Sequence, residues 1–357
     1  MDIVMMVFYL ALVLSVLVFV HEGGHYLAAR AFGVRVTEFM IGLPGPHVGF
    51  TWRGTRYGVT AIPLGGYAKV CGMEPGPENP HIEAALAFAY RHGTVYADDL
   101  AQEIGITVDE ACEVLYVLED WGCLVGPKKS DEHNVFRTRG YTNKKKGVQL
   151  AEGTLRPFED AHELYRFERA QTYRALPFWK RSVVLLAGVF MNLAIAIVLL
   201  IAAFSVIGID VVDAAGTVQQ HIVLTPIESI QAGLNYIVAV VQAVAGLFNP
   251  QTAAQTVEGS TSIMGMAVLS KAYADAGFAM FLQFMAMISV SLGIMNLLPI
   301  PPLDGGRFVI EIFQKITRRQ VGYKAMNYMS LAGMALFVGF FVIMLNQDIQ
   351  RFVFGNW

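Results

Sequence analysis

Apolar residues run without a charge from position 3 to position 20, and the run ends in His21-Glu22-Gly23-Gly24-His25. The pattern predicts one helix over about 3–29. At 1.5 Å per residue, roughly 27 Å separates its start from His21. That places the histidines near the far side of a hydrocarbon layer about 30 Å thick. The stretches 182–207, 278–298 and 328–345 predict three more spanning helices. Residues 234–248 are apolar over only about fifteen positions, short of the roughly 20 that a span needs, and predict an interfacial or partly embedded helix. A further short helix is expected over 308–317.

Between the first two spans the pattern changes. From 33 to 70, glycines and prolines alternate with β-prone pieces at 34–39, 49–52, 57–62 and 67–70, with Arg53-Gly54 as a hairpin turn. Residues 61–67 are apolar and glycine-rich, which predicts a sheet dipping toward the histidines. Backbone at membrane depth is tolerated where it is buried in protein or lines a cavity. Residues 75–80, rich in proline, read as a linker. Residues 81–139 predict a small inserted unit with helices over 81–92, 96–103 and 108–121, the last capped by Thr107 or Asp109. Strands at 122–125 and 135–138 complete a helix-turn-helix with a wing. The chain then divides into four parts: 1–75, 76–142, a connector over 143–181 with Lys144-Lys145-Lys146 and an amphipathic helix, and 182–357.

Composition agrees with this reading. The 357 residues are 55% hydrophobic and 15% charged, against about 25% charged in soluble domains. The expected fold is a polytopic α-helical membrane protein with about four transmembrane helices, a membrane-associated β-sheet and a small winged-helix-like cytoplasmic insertion. The N-terminal run has neither a basic flank nor a cleavage site, and reads as a retained membrane helix. A net charge of −3 argues against a chain that coats nucleic acid. Cys71, Cys112 and Cys123 are odd in number with no CxxC, as expected of reduced structural thiols. Nineteen of the 26 Lys and Arg lie between the first two spans and five lie between 302 and 325. The positive-inside rule therefore puts both connections in the cytoplasm and both termini outside.

The chemistry starts at the first span. Two histidines four apart share one helix face and can bind one zinc, with Glu22 beside them as general base. A catalytic zinc takes three protein ligands, so a further His, Asp or Glu is needed. Asp304 is the best candidate, an acid after Pro299, Pro301 and Pro302, before Gly305-Gly306, and on the expected side of His21.

Several motifs together resemble the site-2 protease family of membrane-embedded zinc proteases. They are His21-Glu22-Gly23-Gly24-His25, Pro63-Leu64-Gly65-Gly66-Tyr67, Gly188 with Asn192, and the Asn296 to Gly306 segment. The resemblance covers about 1–75 and 175–345 and is to the bacterial sigma-factor-activating branch. It implies zinc held by His21, His25 and Asp304, with Glu22 activating a water. It implies that Asn192 helps to hold substrate or to stabilise an oxyanion. It also implies that the sheet around 57–70, with Gly65, Gly66 and Tyr67, takes unwound substrate as an extra strand, a β-augmentation. The implied substrates are single-span membrane proteins, such as an anti-sigma factor or a signal-peptide remnant, cut in the inner membrane toward its cytoplasmic side. Two departures are Val189, where many members have proline, and the absence of the branch's usual PDZ domain between the second and third spans.

The insertion lies outside that resemblance. It resembles, distantly, the winged-helix domain of bacterial DNA translocases. Yet its third helix carries Asp109, Glu110, Glu113, Glu119 and Asp120 and no Lys or Arg. Such a face repels phosphates, so a protein partner is expected and nucleic acid is not. Two other readings compete with the protease. A metal transporter or receptor would show internal repeats and polar residues along several spans; no repeat is found. A membrane-anchored transcription regulator would leave the His-Glu-His motif unexplained.

Overall fold

The computed structural model describes residues 2–62, 65–128, 131, 134–143, 148–212, 218–352 and 354. Helix α1 (Asp2–Ala31) holds the whole His21–His25 motif in its interior, and Gly33, at φ +82°, turns the chain out of it. Four strands follow: β1 (Val36–Ile41), β2 (His47–Trp52), β3 (Thr55–Thr60) and β4 (Gly66–Val70). Arg53 and Gly54 both have positive φ, 49° and 83°, the geometry a two-residue hairpin needs to match strand twist. The sheet order is β2-β3-β1-β4, with β1 parallel to β3 and antiparallel to β4. Strand β4 is therefore an edge strand, and it lies against α1. The opposite edge, β2, is exposed throughout, including Val48, Phe50 and Trp52. Pro63 and Leu64 of the glycine-rich motif lie outside the described residues.

The inserted segment contains α2 (Ile82–His92), β5 (Thr94–Tyr96), α3 (Ala97–Ile104), α4 (Val108–Asp120), β6 (Leu124–Val125) and β7 (Val135–Thr138). Gly105, at φ +71°, ends α3, and a reciprocal Thr107–Glu110 capping box starts α4. Strand β5, not anticipated from the sequence, joins the other two in the order β5-β7-β6. Leu86, Leu100, Leu115 and Phe136 form a closed core. A hairpin of β8 (Tyr141–Asn143) and β9 (Val148–Leu150) comes next, with Lys144-Lys145-Lys146 outside the described residues. Helix α5 (Ala161–Arg169) returns to pack on α2 and adds Leu164 and Tyr165 to the same core.

A buried polar knot fastens this unit to the rest. Arg35, just before β1, donates to the Glu168 carboxylate at 2.7 Å, to the Trp121 carbonyl at 3.0 Å and to Gln171 at 3.1 Å. Glu168 also accepts from the Tyr90 hydroxyl at 2.7 Å. Burial opposes ionisation of Glu168, but Arg35 and Tyr90 more than offset it and hold the carboxyl below its usual range.

The remaining helices are α6 (Phe178–Ile201, continued by a π-helical turn to Ile207), α7 (Pro226–Gly246), α8 (Ala253–Glu258), α9 (Ile263–Asp275), α10 (Phe278–Asn296), α11 (Asp304–Thr317) and α12 (Tyr323–Phe352). Between α6 and α7 runs the hairpin β10 (Ile209–Val212) and β11 (Val218–Ile222). Among the described residues five helices, not about four, are long and apolar enough to cross a membrane: α1, α6, α7, α10 and α12. The added one is α7. A Thr225–Glu228 capping box starts it eight residues before the apolar stretch begins, so polar Glu228, Gln231 and Asn235 belong to a 21-residue helix. With five candidates, the expectation of both termini on one side requires that α7 not cross. Helices α1, α6 and α10 form the bundle that carries the site, with α6 between the other two.

Candidate metal centre

His21 and His25 fall one turn apart on α1 and face α6. Asp304 reaches them from the first residue of α11. The Asp304 Oδ2 atom lies 3.1 Å from His21 Nε2 and 3.2 Å from His25 Nε2, and the two Nε2 atoms are 3.3 Å apart. Among the described residues this is the one cluster of three such side chains close enough to share an ion. Ligand atoms about 2.0–2.1 Å from a tetrahedral zinc stand roughly 3.3 Å from each other. The buried Oδ2 makes no hydrogen bond despite its two neighbours. Three such ligand atoms, each within about 3.3 Å of the other two, have the spacing of a shared cation's ligands.

The surroundings orient each ligand. His25 Nδ1 is 2.8 Å from the Val184 carbonyl on α6, so it donates there and leaves the Nε2 lone pair free. Gly188, one turn further, is where α6 passes the histidines. A Cβ there would stand 2.4 Å from His25 Nε2 and 2.8 Å from His21 Nε2. Asn192, one more turn along and fully buried, places its amide 3.2 Å from His21 Nδ1. The Asn192 Oδ1 has no partner as placed. Turning the carboxamide over points Oδ1 at His21 Nδ1–H, which must be a donor if Nε2 is a ligand. From behind, the Ser289 hydroxyl of α10 donates to the Asn192 backbone carbonyl at 2.8 Å.

Asp304 is delivered by a tight fold-back. A Cβ at Gly305 would meet the Leu297 carbonyl at 2.1 Å, and one at Gly306 would meet Pro301 N at 2.3 Å. Both glycines let α11 start directly against the chain that leads into it. Glu22, next to His21, accepts a hydrogen bond from the Ala68 N–H of β4 at 3.0 Å.

The sequence-derived set thus divides. His21, His25 and Asp304 come together, with Glu22 and Asn192 beside them. Gly65, Gly66 and Tyr67 lie at the start of the edge strand, where Tyr67 donates its hydroxyl to Glu38 at 2.9 Å. The direct link from that strand to the site is Ala68, which sequence reasoning missed. It also missed the Val184 carbonyl, although Val184, Gly188 and Asn192 recur at intervals of four and so share one face of α6.

A His-Glu-His helix, a carboxylate from a second helix and a bundle of apolar helices define a multi-pass membrane metalloprotease. The chain belongs to Peptidase family M50, whose sequence profile matches residues 9–340. It is 28% identical to a curated protein of Campylobacter jejuni, over 96% of this chain and 92% of that one. It is 28% identical to one of Agrobacterium fabrum, over 96% and 95%, and 30% identical to one of Mesorhizobium japonicum, over 92% and 95%. All three carry the provisional name of zinc metalloprotease. Zinc is the cofactor of the family.

Proposed function

We propose that this metalloprotease hydrolyses a peptide bond within or next to the transmembrane segment of a single-span membrane protein. The observation that carries the reading is the Ala68 N–H bond to Glu22. It sets a sheet edge beside the base of a metal centre that is itself built into apolar helices.

The residues divide the work as follows. A helical substrate hides its peptide bonds, so a stretch of it must unwind. Edge strand β4, at Gly65, Gly66, Tyr67 and Ala68, receives that stretch as an added strand. His21, His25 and Asp304 would hold the zinc, which when bound would supply Lewis acidity and lower the pKa of a water toward about 7. Glu22 takes the proton of the attacking water and passes it to the leaving amine. Val184 and Asn192 fix the tautomers of the two histidines. Basic residues concentrated between α1 and α6 and around α11 support a site facing the cytoplasmic side of the cell membrane. The 81–139 unit is a winged-helix-like module for a protein partner rather than DNA, because α4 presents acids and no base.

The test is to incubate the purified protein with a panel of single-span membrane proteins and to compare it with Glu22→Gln. Wild type should cut within or beside the span, and Glu22→Gln should not cut while keeping its zinc. Cleavage by the variant at the wild-type rate would refute the role of Glu22. Cleavage confined to soluble, unstructured peptides would refute the substrate class.

A further inference from the structure

A second site lies at the other end of the helix that begins with Asp304. A cleft of about 390 Å3 opens between the 72–79 segment, the end of α4, and the end of α11. Six cations line it: Arg169, Arg174, Arg181, Lys315, Arg318 and Arg319. Three acids, Glu74, Glu78 and Asp120, line it too. We propose that this cleft binds a phosphate-bearing anion.

Pairing within the cleft shows which charges are already answered. Glu78 takes the Arg169 Nε–H, at 2.9 and 3.0 Å from its two oxygens. Arg174 and Arg181 share the buried Glu311 of α11, at 3.2 and 3.3 Å. Glu74 and Asp120 stay together on the α4 side, where Asp120 accepts from the Glu74 backbone N–H at 3.4 Å. That leaves Lys315, Arg318 and Arg319 grouped at the end of α11, and among the described residues none of them has a carboxylate within ion-pair distance.

Two buried donors in the same lining also lack acceptors, the Nε of Arg181 and the Nε2 of Gln314. A buried N–H without an acceptor is costly. Those two groups are closed to solvent, whereas Lys315, Arg318 and Arg319 are exposed, and it is these three unanswered cations that call for a ligand rich in acceptor oxygens and negative charge. Phosphate meets that description better than a single carboxylate, because it offers at least three acceptor oxygens and up to two negative charges where a carboxylate offers two oxygens and one charge. The volume admits more than a lone ion, and matches a small ligand or a headgroup.

The source of the phosphate follows from position. Arg181 sits in the first turn of α6, where the chain enters its apolar run. A lipid headgroup lies at that level of a bilayer, and basic pockets there bind anionic lipids. A soluble phosphate compound would reach the same exposed cations from solvent.

The full-length protein in uncharged detergent is titrated with inorganic pyrophosphate by calorimetry. In parallel, thermal stability is read in phosphatidylcholine nanodiscs with and without phosphatidylglycerol. The same measurements are made on Arg318→Glu/Arg319→Glu and on Arg318→Gln/Arg319→Gln, which removes the charges without reversing them. Wild type should show saturable one-to-one binding of pyrophosphate, or a rise in Tm with phosphatidylglycerol. Either variant should weaken the response roughly tenfold or more, as expected for losing charge-assisted bonds. Pyrophosphate alone identifies a soluble ligand, and phosphatidylglycerol alone identifies a lipid. No saturable response to either probe overturns the proposal, as does an unchanged response in both variants. Should the charge reversal fail to fold, the glutamine pair decides. None of these readouts depends on proteolysis.

Discussion

At the scale of single residues, the metal centre depends on an atom that is missing. Position 188 has no Cβ, and the histidine rings occupy the space one would take. Gly188→Ala should therefore fold, because alanine favours the helix, yet lose zinc to below a tenth of wild-type occupancy by elemental analysis. Zinc retained in that variant would mean that the helices can part without losing the site. Asn192 poses a sharper question. As an oxyanion donor it would affect rate by about 10²–10³ and leave metal affinity alone. Set against His21 Nδ1 and fully buried, it should instead act through the ligand. Supporting groups of this kind are typically worth about 10–100-fold in metal affinity. Asn192→Leu should lose zinc to a competing chelator by that factor, and a chelator titration matching wild type would return Asn192 to the substrate.

At the scale of elements, the fastening of the inserted unit rests on one buried pair. Removing Arg35 leaves Glu168 buried and unpaired, a change that costs about 3–5 kcal/mol in comparable sites. Arg35→Met should lower Tm accordingly while zinc content stays near wild type. The pH dependence follows from the lowered pKa of Glu168. Its contribution to stability is present above the ordinary carboxylate range and is lost as pH falls through the lowered value. The gap in Tm between wild type and Arg35→Met should thus be full near neutrality and narrow in acid; a gap independent of pH would assign the loss to packing. The same scale shows what could be read from the chain. Helices α1, α6 and α10 and the hairpin at Arg53-Gly54 follow directly from apolar run length and turn chemistry. The start of α11 does not, since Gly305 and Gly306 look like helix breakers and are instead its first turn, placed there for close approach. The parallel pairing of β1 with β3 was equally hidden, because residues adjacent in sequence predict antiparallel neighbours. Helix α9, rich in small residues and without a clear apolar stripe, gave no signal. The three candidate ligands that the fold brings together could be picked out by residue type, by the spacing of His21 and His25 and by the proline–glycine setting of Asp304, whereas the carbonyl and N–H that hold His25 and Glu22 belong to backbone, which no residue type reveals.

At the scale of the whole molecule, the inserted unit does not close at residue 139. Leu164 and Tyr165 of α5 complete its core, and Glu168 meets Tyr90. A fragment spanning 81–172 should unfold cooperatively, while one spanning 81–139 should melt at lower temperature and bind a hydrophobic dye. Equal melting of the two would show that α5 belongs to the membrane part. With eleven acids and five bases in 81–139, and sixteen and eleven in 81–172, neither fragment should bind duplex DNA above a neutral control. The contact between Glu22 and Ala68 has a consequence of another kind, in the order of events. One N–H serves the base at rest, and the same N–H lies where a chain joining β4 would seek a partner. Under the proposed strand addition the two claims exclude each other. Arrival of a properly aligned chain then unseats Glu22 at the moment its proton-accepting oxygen is needed. A peptide too short to reach Ala68 would leave the base occupied. The arrival of a chain and the freeing of one Glu22 oxygen would thus be a single event, joined by one shared proton.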